Sequence, residues 1–322
     1  MKILEKINYF FINKFRIISL FILWLLPFKF KGVEPILNPK LIKNLGDESK
    51  KIIPKKIWMY WEGSSNEVLN LTINQINKLN SEFDFFLLNE KNVDLYVDGI
   101  DEFYFPTVQH KSDYIRLYLL NKHGGVWCDA SIIFFGKIDS FINLLEEKIG
   151  FFAFFNEYRS NNKNKPIIEN WFLIASKGHP FIKKWLEEYI YALQVGNVDY
   201  IKKISNNAEL FQRIGKDERE YLFNYVCAQR VLQDFENDYL FLSCDETAFH
   251  FNLIGGWRYK FFKKKSFHYT NIIRSLCLYK RPENLPMLIK LVAGDRDHLN
   301  FYLEKKIFKK DTLIDYLYNQ ER

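Results

Sequence analysis

Cysteine is scarce in this chain: Cys128, Cys227, Cys244 and Cys277 are the whole supply among 322 residues, and none forms a C-x-x-C pair. That excludes a zinc knuckle and a small disulfide scaffold, and it fits a reducing, cytoplasmic setting. The apolar run Ile17 to Phe28 (IISLFILWLLPF) falls short of the roughly 20 residues that cross a bilayer. Extending it backwards meets Arg16 and Lys14, so spanning is disfavoured. Small residues of A-x-A type are missing where a cleaved signal would end, and Pro27-Phe28-Lys29-Phe30-Lys31 stands there instead, so secretion is disfavoured too. No G-x-G-x-x-G follows the first strand pattern, which argues against a dinucleotide-dependent dehydrogenase. Internal repeats and long low-complexity linkers are also absent.

What is present suffices for a folded protein. Hydrophobic residues make up 48% and charged residues 26%, too apolar a mixture to stay unfolded. Lys and Arg outnumber Asp and Glu by 46 to 39, a net charge of +7, which suits an anionic partner such as a phosphate-bearing substrate, acidic lipid or nucleic acid. On a helix, residues 2–19 place Lys2, Glu5, Lys6, Asn13 and Arg16 on one half and Ile3, Ile7, Phe10, Phe11 and Ile18 opposite, with Lys14 breaking the pattern. An all-round apolar turn, Leu20 to Leu26, follows. Such a segment is expected to lie monotopically in the cytoplasmic leaflet with its lysines at acidic headgroups. The alternative is a helix that packs on its own protein or on a partner. The expected division is a membrane-associating helix and connector over residues 1–45 and one main domain, with helical C-terminal additions, over 46–322.

Within that domain the pattern opens strand–helix–strand. Lys56 to Trp61 is a short aromatic run ended by Glu62-Gly63-Ser64-Ser65, Asn66 caps a helix to about Leu79, and Phe83 to Leu88 is the next strand. A βαβ start predicts an α/β fold with a mostly parallel sheet flanked by helices, its ligands at the C-terminal ends of the strands, where Trp61 sits. Ser112 to His123 reads as a helix capped by Ser112 and stopped by Gly124-Gly125, followed by a strand from Val126 to Phe135. Further strands are expected near 150–155 and 171–175, helices near 180–193 and 218–234, and a last helix from about Lys309.

The stretch SDYIRLYLLNKHGGVWCDAS, Ser112 to Ser131, carries the most chemistry. Asp113 and Arg116, three apart on a helix, are neighbours. In an extended strand Trp127, Asp129 and Ser131 share one face, with Val126, Cys128 and Ala130 on the other. The segment resembles the signature of the sugar-nucleotide glycosyltransferases of family 32, the DxD sugar-binding type, and most closely their capsular polysaccharide synthesis relatives. Ile53 to Gly63 (IPKKIWMYWEG) resembles that group's opening strand, and Asn170 to Ala175 with Gly178-His179-Pro180 resembles its mid-domain strand and helix start.

The resemblance implies a GT-A-like, Rossmann-type domain that binds a nucleoside-diphosphate sugar and passes the sugar to a growing cell-surface glycan or lipid-linked acceptor at the inner membrane face. It implies that Trp61 stacks on the base, that Asp113 and Arg116 contact ribose or donor sugar, that Asp129 meets ribose and a metal with its diphosphate, and that Gly124 and Gly125 permit a turn and close backbone approach. It also implies a divalent cation, Mn²⁺ or Mg²⁺, at Asp129 and Ser131. Here the sequence departs from the family, since the second D-x-D carboxylate is Ser131, a weaker ligand for a hard cation. Charge developing on the leaving diphosphate must be stabilised by metal, Lys or Arg, so basic residues of the C-terminal third, His268, Lys290 and Lys263 to Lys265, are candidates to compensate.

Plainer readings stand beside these. From spacing alone Asp113 and Arg116 make an ordinary surface ion pair, and Trp58, Tyr60 and Trp127 are core aromatics. His123 and His179 sit at helix ends, Cys128 faces the buried side, and Asp295-Arg296-Asp297-His298 is a solvated helix cap rather than a metal cluster. The competing function is a basic, aromatic-rich nucleic-acid-binding protein, since Lys and Arg interleaved with Tyr and Phe can stack bases and track phosphates. It lacks any RNP, KH or zinc pattern, so no nucleic-acid partner is expected.

Overall fold

The computed structural model describes residues 32–46, 49–236, 238–254 and 266–319, together with Ile18, Ile22 and Leu25. The predicted N-terminal amphipathic helix and Lys263 to Lys265 therefore lie outside the described residues, apart from those three positions. In chain order the elements are β1 (Leu41–Asn44), β2 (Lys56–Tyr60), α1 (Glu67–Leu79), β3 (Asp84–Leu88), α2 (Val108–His123), β4 (Gly125–Cys128), β5 (Ile132–Phe134), α3 (Asp139–Asn143), β6 (Phe151–Phe155), β7 (Ile168–Ala175), α4 (Pro180–Val195), α5 (Asn197–Lys203) and α6 (Phe223–Gln233). They continue as β8 (Tyr239–Ser243), α7 (His250–Ile254), α8 (Ser266–Cys277), β9 (Leu288–Lys290), α9 (Ala293–Glu304) and α10 (Leu313–Asn319).

Among the described residues seven strands form one sheet in the order β1-β8-β6-β7-β4-β2-β3. β3, β2 and β4 run parallel, β7 is antiparallel to both β4 and β6, β8 runs parallel to β6, and β1 is antiparallel to β8. Five of the seven strands thus point the same way, which is the mostly parallel α/β sheet expected. Apolar side chains cover both faces, so the strands read as near-continuous hydrophobic runs such as FFAFF. Trp58, Tyr60, Trp127, Phe151 and Phe241 pack on one face against α2, α4 and α6. Ile57, Met59, Val126, Cys128, Phe152 and Phe172 fill the other, against α1 and α3. All four cysteines are buried and form no disulfide.

Local chemistry accounts for several boundaries. Asn66 accepts a hydrogen bond from the Leu69 N–H at 3.0 Å and starts α1 where the sequence places it. β1 belongs to the sheet, so the predicted connector over residues 1–45 already supplies a strand, and the domain begins ahead of Leu41. The predicted helix over 218–234 begins only at Phe223, because residues 215–222 form turns. The C-terminal third is a second layer: β5 and β9 pair antiparallel beside α8, α9 and α10 over a separate apolar cluster.

Two further expectations are corrected. α2 starts one turn before Ser112, capped by the Thr107 hydroxyl, which accepts from the His110 N–H at 3.2 Å. Thr107 is also a capping residue type, though a weaker one than Ser112, and it precedes the apolar register. Val126 to Phe135 is not one strand: it breaks after Cys128 in a turn closed by Ile132 N–H donating to the Asp129 carbonyl at 3.2 Å, and Ile132–Phe134 joins β9 instead.

Gly124 and Gly125 lie at the start of β4 with φ of +67° and +99°. A Cβ on Gly125 would stand 2.5 Å from the Lys56 carbonyl oxygen of β2. Gly125→Ala is accordingly expected to lose roughly 2 kcal/mol or more through backbone strain and displacement of β2. A urea midpoint equal to wild type would contradict that.

Candidate active site

The cleft opens at the C-terminal edge of β2, β4, β6 and β8, where the antiparallel β7 begins. This is the edge of an open α/β sheet that ordinarily holds ligands. It has two lobes, with volumes of about 400 and 290 Å³. Arg116, Asp129, Ser131 and Arg296 line both. Trp61 lines the smaller lobe with Tyr60 and Glu62, while Asp113, Glu169, Asn170 and Lys290 line the larger. Trp61, Asp113 and Asp129 are thus brought to one cleft.

At its centre lies a buried network of charge. Arg116 stands 3.2 Å from Asp113 and 3.3 Å from Asp129. Its remaining N–H groups donate to the Asn170 carbonyl at 2.6 Å and to the Ser112 carbonyl and hydroxyl. The guanidinium lies 5.1 Å from the centre of the Trp127 ring. This is no surface ion pair, since Asp113 and Arg116 are both buried. Lys290 donates to Asp129 Oδ2 at 2.9 Å and to the Ser131 hydroxyl, while Trp127 Nε1 donates to Asp129 Oδ1 at 3.0 Å. The Asp129 N–H donates to the Trp171 carbonyl of β7 at 2.9 Å, so the turn that carries the carboxylate is itself fixed.

Burial pushes the Asp113 carboxyl up to about 6 in spite of Arg116. Burial presses Asp129 in the same direction, but Lys290 and Arg116 outweigh it and hold this carboxyl below its ordinary range. Burial also lowers Lys290, against the pull of Asp129. Two adjacent carboxylates in one cleft thereby differ in proton affinity, an arrangement common at functional sites.

Several lining residues carry no signal in the sequence. Glu169, at the start of β7, accepts from Asn156 at 2.7 Å, Trp171 at 2.9 Å and Tyr225 at 2.8 Å. Asn170 donates to Asp113 at 2.9 Å. Arg296 lies 4.9 Å over the Trp61 ring. The Asp295–His298 run is therefore not the solvated cap predicted: Asp295 is a cap, but fully buried, accepting from Val292 N–H at 3.3 Å and Asn252 at 3.1 Å. A carboxylate followed by Arg at a helix start was the available cue. Burial raises Asp295 to about 8. Its folded value exceeds the ordinary 3.8, so its contribution to stability is full below that pH and is lost as pH rises through about 8. Asp295→Asn, which cannot ionise, should gain thermal stability over wild type by several degrees towards pH 9. Melting curves with a pH-independent difference would contradict this.

Gly124 and Gly125 do not line the cleft. They sit at the opposite end of β4, where their role is the turn and the close approach described above, with Trp58 Nε1 donating to the Gly124 carbonyl at 3.0 Å. His268 falls in α8, but its side chain lies outside the described residues. His123 ends α2, and His179 caps α4, its Nδ1 accepting from Phe181 N–H at 3.2 Å, both as expected. Among the described residues no three His, Cys, Asp or Glu side chains cluster as a metal site. The donor set suits a divalent cation poorly. Asp129 is the one carboxylate of the D-x-D pair, its oxygens already accept from Trp127, Arg116 and Lys290, and the Lys290 ammonium bridges Asp129 and Ser131.

Residues 33–201, just over half of the chain, match the model of the family described as capsular polysaccharide synthesis protein. The chain belongs to that family. Across 152 residues this family member is 30% identical to the O-glycosyltransferase braB of Annulohypoxylon truncatum, a match that takes in 41% of the chain and 36% of that relative's length. The chain therefore spans about a third of the curated relative it matches. Among solved structures, it is similar to an active-site mutant of LgtC at 7% identity and a TM-score of 0.39, covering 78% of this chain and 95% of that one. It is also similar to GlyE of Streptococcus pneumoniae TIGR4 at 12% identity and 0.40, covering 84% and 64%, and to the PaToxG glycosyltransferase at 16% and 0.35, covering 57% and 80%.

Proposed function

We propose that this chain is a nucleotide-sugar-dependent glycosyltransferase with a GT-A-like domain, and that it extends a cell-surface glycan or lipid-linked acceptor. The observation that carries the reading is the cleft itself. A partly buried indole at the end of β2 and a carboxylate–guanidinium–ammonium network at the end of β4 share one polar depression of ligand size. Membership of a capsular polysaccharide family agrees with the acceptor, and similarity to the O-glycosyltransferase braB agrees with the reaction.

In this reading Trp61 offers its π-face to the base. Asp113, held by Asn170 and Arg116, accepts hydrogen bonds from ribose or sugar hydroxyls. Asp129 positions the cations that face the diphosphate. The bond from the anomeric carbon to the diphosphate breaks with both electrons leaving on the phosphate oxygen. The acceptor oxygen then bonds to that carbon, and its proton leaves with the diphosphate. The chain is also proposed to attach to the inner face of the membrane through its N-terminal segment. Ile18, Ile22 and Leu25, spaced along one side of a helix, are each more than half exposed. No helix among the described residues is long and apolar enough to cross a membrane.

The test is a thermal-shift screen against UDP-, GDP-, CMP- and dTDP-sugars, with and without Mn²⁺ or Mg²⁺. Selective stabilisation by one nucleotide class is expected. Trp61→Ala should weaken that nucleotide by about 1–3 kcal/mol, beyond the modest loss of unliganded stability expected from its packing on the core. Indifference to every nucleotide sugar would reject the reading.

A further inference from the structure

The two side chains that the D-x-D resemblance assigns to a metal already share a cation, and it is part of the protein. Lys290 reaches Asp129 Oδ2 at 2.9 Å and the Ser131 hydroxyl. The placement is built in by backbone pairing. Lys290 stands opposite Ile132 in the β5–β9 ladder, and the Leu291 N–H donates to the Ser131 carbonyl at 2.8 Å. The ammonium is buried, 5.8 Å from the centre of the Trp171 ring, so it cannot swing freely into solvent as a surface lysine does.

Charge counting points the same way. The carboxylates of that lobe, Asp113, Asp129 and Glu169, already face Arg116 and Lys290, with Arg159 and Arg296 lining the same space. A divalent ion would have to displace bonds already made to Asp129 and sit next to an ammonium, with one carboxylate and one hydroxyl as its protein ligands. Hard cations favour the reverse, several anionic oxygens and no adjacent positive charge. Arg116 directs Nε, Nη1 and Nη2 each to a protein acceptor. Lys290 has three N–H donors and gives two to the protein, which leaves one for a ligand in the lobe it lines.

We infer that this chain holds the diphosphate of its donor without a divalent cation, using the Lys290 ammonium, clamped between Asp129 and Ser131, as a fixed internal counter-charge. The inference rests on the glycosyltransferase reading above. Arg296 lines the same lobe and adds long-range attraction for the anion, whereas Arg159, also there, is paired with Glu218 at 2.8 Å. A lysine fixed by two side chains needs no reorganisation when negative charge develops on the leaving group.

The experiment is calorimetric titration of the full-length protein with UDP, GDP, CDP, dTDP and ADP, in EDTA and again with excess Mn²⁺ or Mg²⁺. Mn²⁺ uptake by the nucleotide-free protein is followed in parallel by electron paramagnetic resonance. The nucleoside diphosphate that binds is expected to do so with dissociation constants within about twofold of each other in the two conditions, and with no Mn²⁺ uptake. In EDTA, Lys290→Ala should weaken it at least about tenfold, and Lys290→Arg should restore most of the loss. Binding confined to the metal-containing condition, or stoichiometric Mn²⁺ uptake, overturns the inference and leaves the glycosyltransferase reading intact. Undiminished binding by a Lys290→Ala protein that melts cooperatively overturns it as well. Should that variant fail to fold, the wild-type comparison with and without metal still decides. Absence of binding in both conditions rejects the functional reading, and the inference with it.

Discussion

Under the proposed function, replacing Asp129 with alanine is expected to lower sugar transfer at least about 100-fold, the scale seen when one fixed electrostatic group is removed from an active site. Asp129 is the anion that Lys290 and Arg116 both address, at 2.9 and 3.3 Å. Without it the two cations repel each other across a buried space, and Lys290 loses the carboxylate that fixes its ammonium in the cleft. Alanine also removes the acceptor for the Trp127 indole N–H. Asp129→Asn separates the two contributions: the amide oxygen still accepts from Trp127 or Lys290, but the charge is gone. Transfer by the asparagine variant should therefore fall nearly as far while its melting temperature falls less. Transfer by Asp129→Ala at the wild-type rate would remove Asp129, and the cleft with it, from the reaction.

Arg116→Met should be the most destabilising substitution of its size in the cleft. The guanidinium separates two buried carboxylates, and it alone meets Asn170, Ser112, Asp113 and Asp129 together. Removing one partner of a buried ion pair costs about 3–5 kcal/mol, which for a chain of this size corresponds to roughly 10 °C in melting temperature. Arg116→Lys should recover only part of it, because a point ammonium cannot fork between two carboxylates and a carbonyl. The effect carries a pH signature. Asp129 is held below its ordinary value in the fold, so its contribution is present above that value and lost as pH falls through the lowered one. The gap between wild type and Arg116→Met should accordingly close in acid. A constant gap from pH 7 to pH 3 would show that packing, not charge, sets the cost.

Much of the architecture could be read along the chain because it depends on short-range rules. Asn66 capping α1 and the doubly apolar strands β2, β6 and β7 follow from cap chemistry and from burial on both faces. Where two local options are similar, short-range rules do not choose between them. Thr107 and Ser112 are both good caps, and the choice fell to the one a turn earlier. The run from Val126 to Phe135 is apolar throughout, so hydrophobicity could not reveal that β5 leaves the main sheet to pair with β9.

The sequence by itself determined the α/β class, the Asn66 cap of α1, the burial of Cys128 and the nomination of Trp61, Asp113, Arg116 and Asp129. The class and the cap depend on residue type and on spacings of a few residues, which survive folding unchanged, whereas the four site residues are marked by the family resemblance of the motifs that hold them. Only the tertiary structure decided what surrounds them. Lys290 reaches Asp129 across 161 positions of chain, Asn170 reaches Asp113 across 57, and Arg296 comes to cover Trp61. No periodicity records such meetings, because they are set by which strand edges pair and which layers stack. For the same reason Gly124 and Gly125 belong to strand packing rather than to the cleft: adjacent to Asp129 in sequence, they are separated from it by the length of β4.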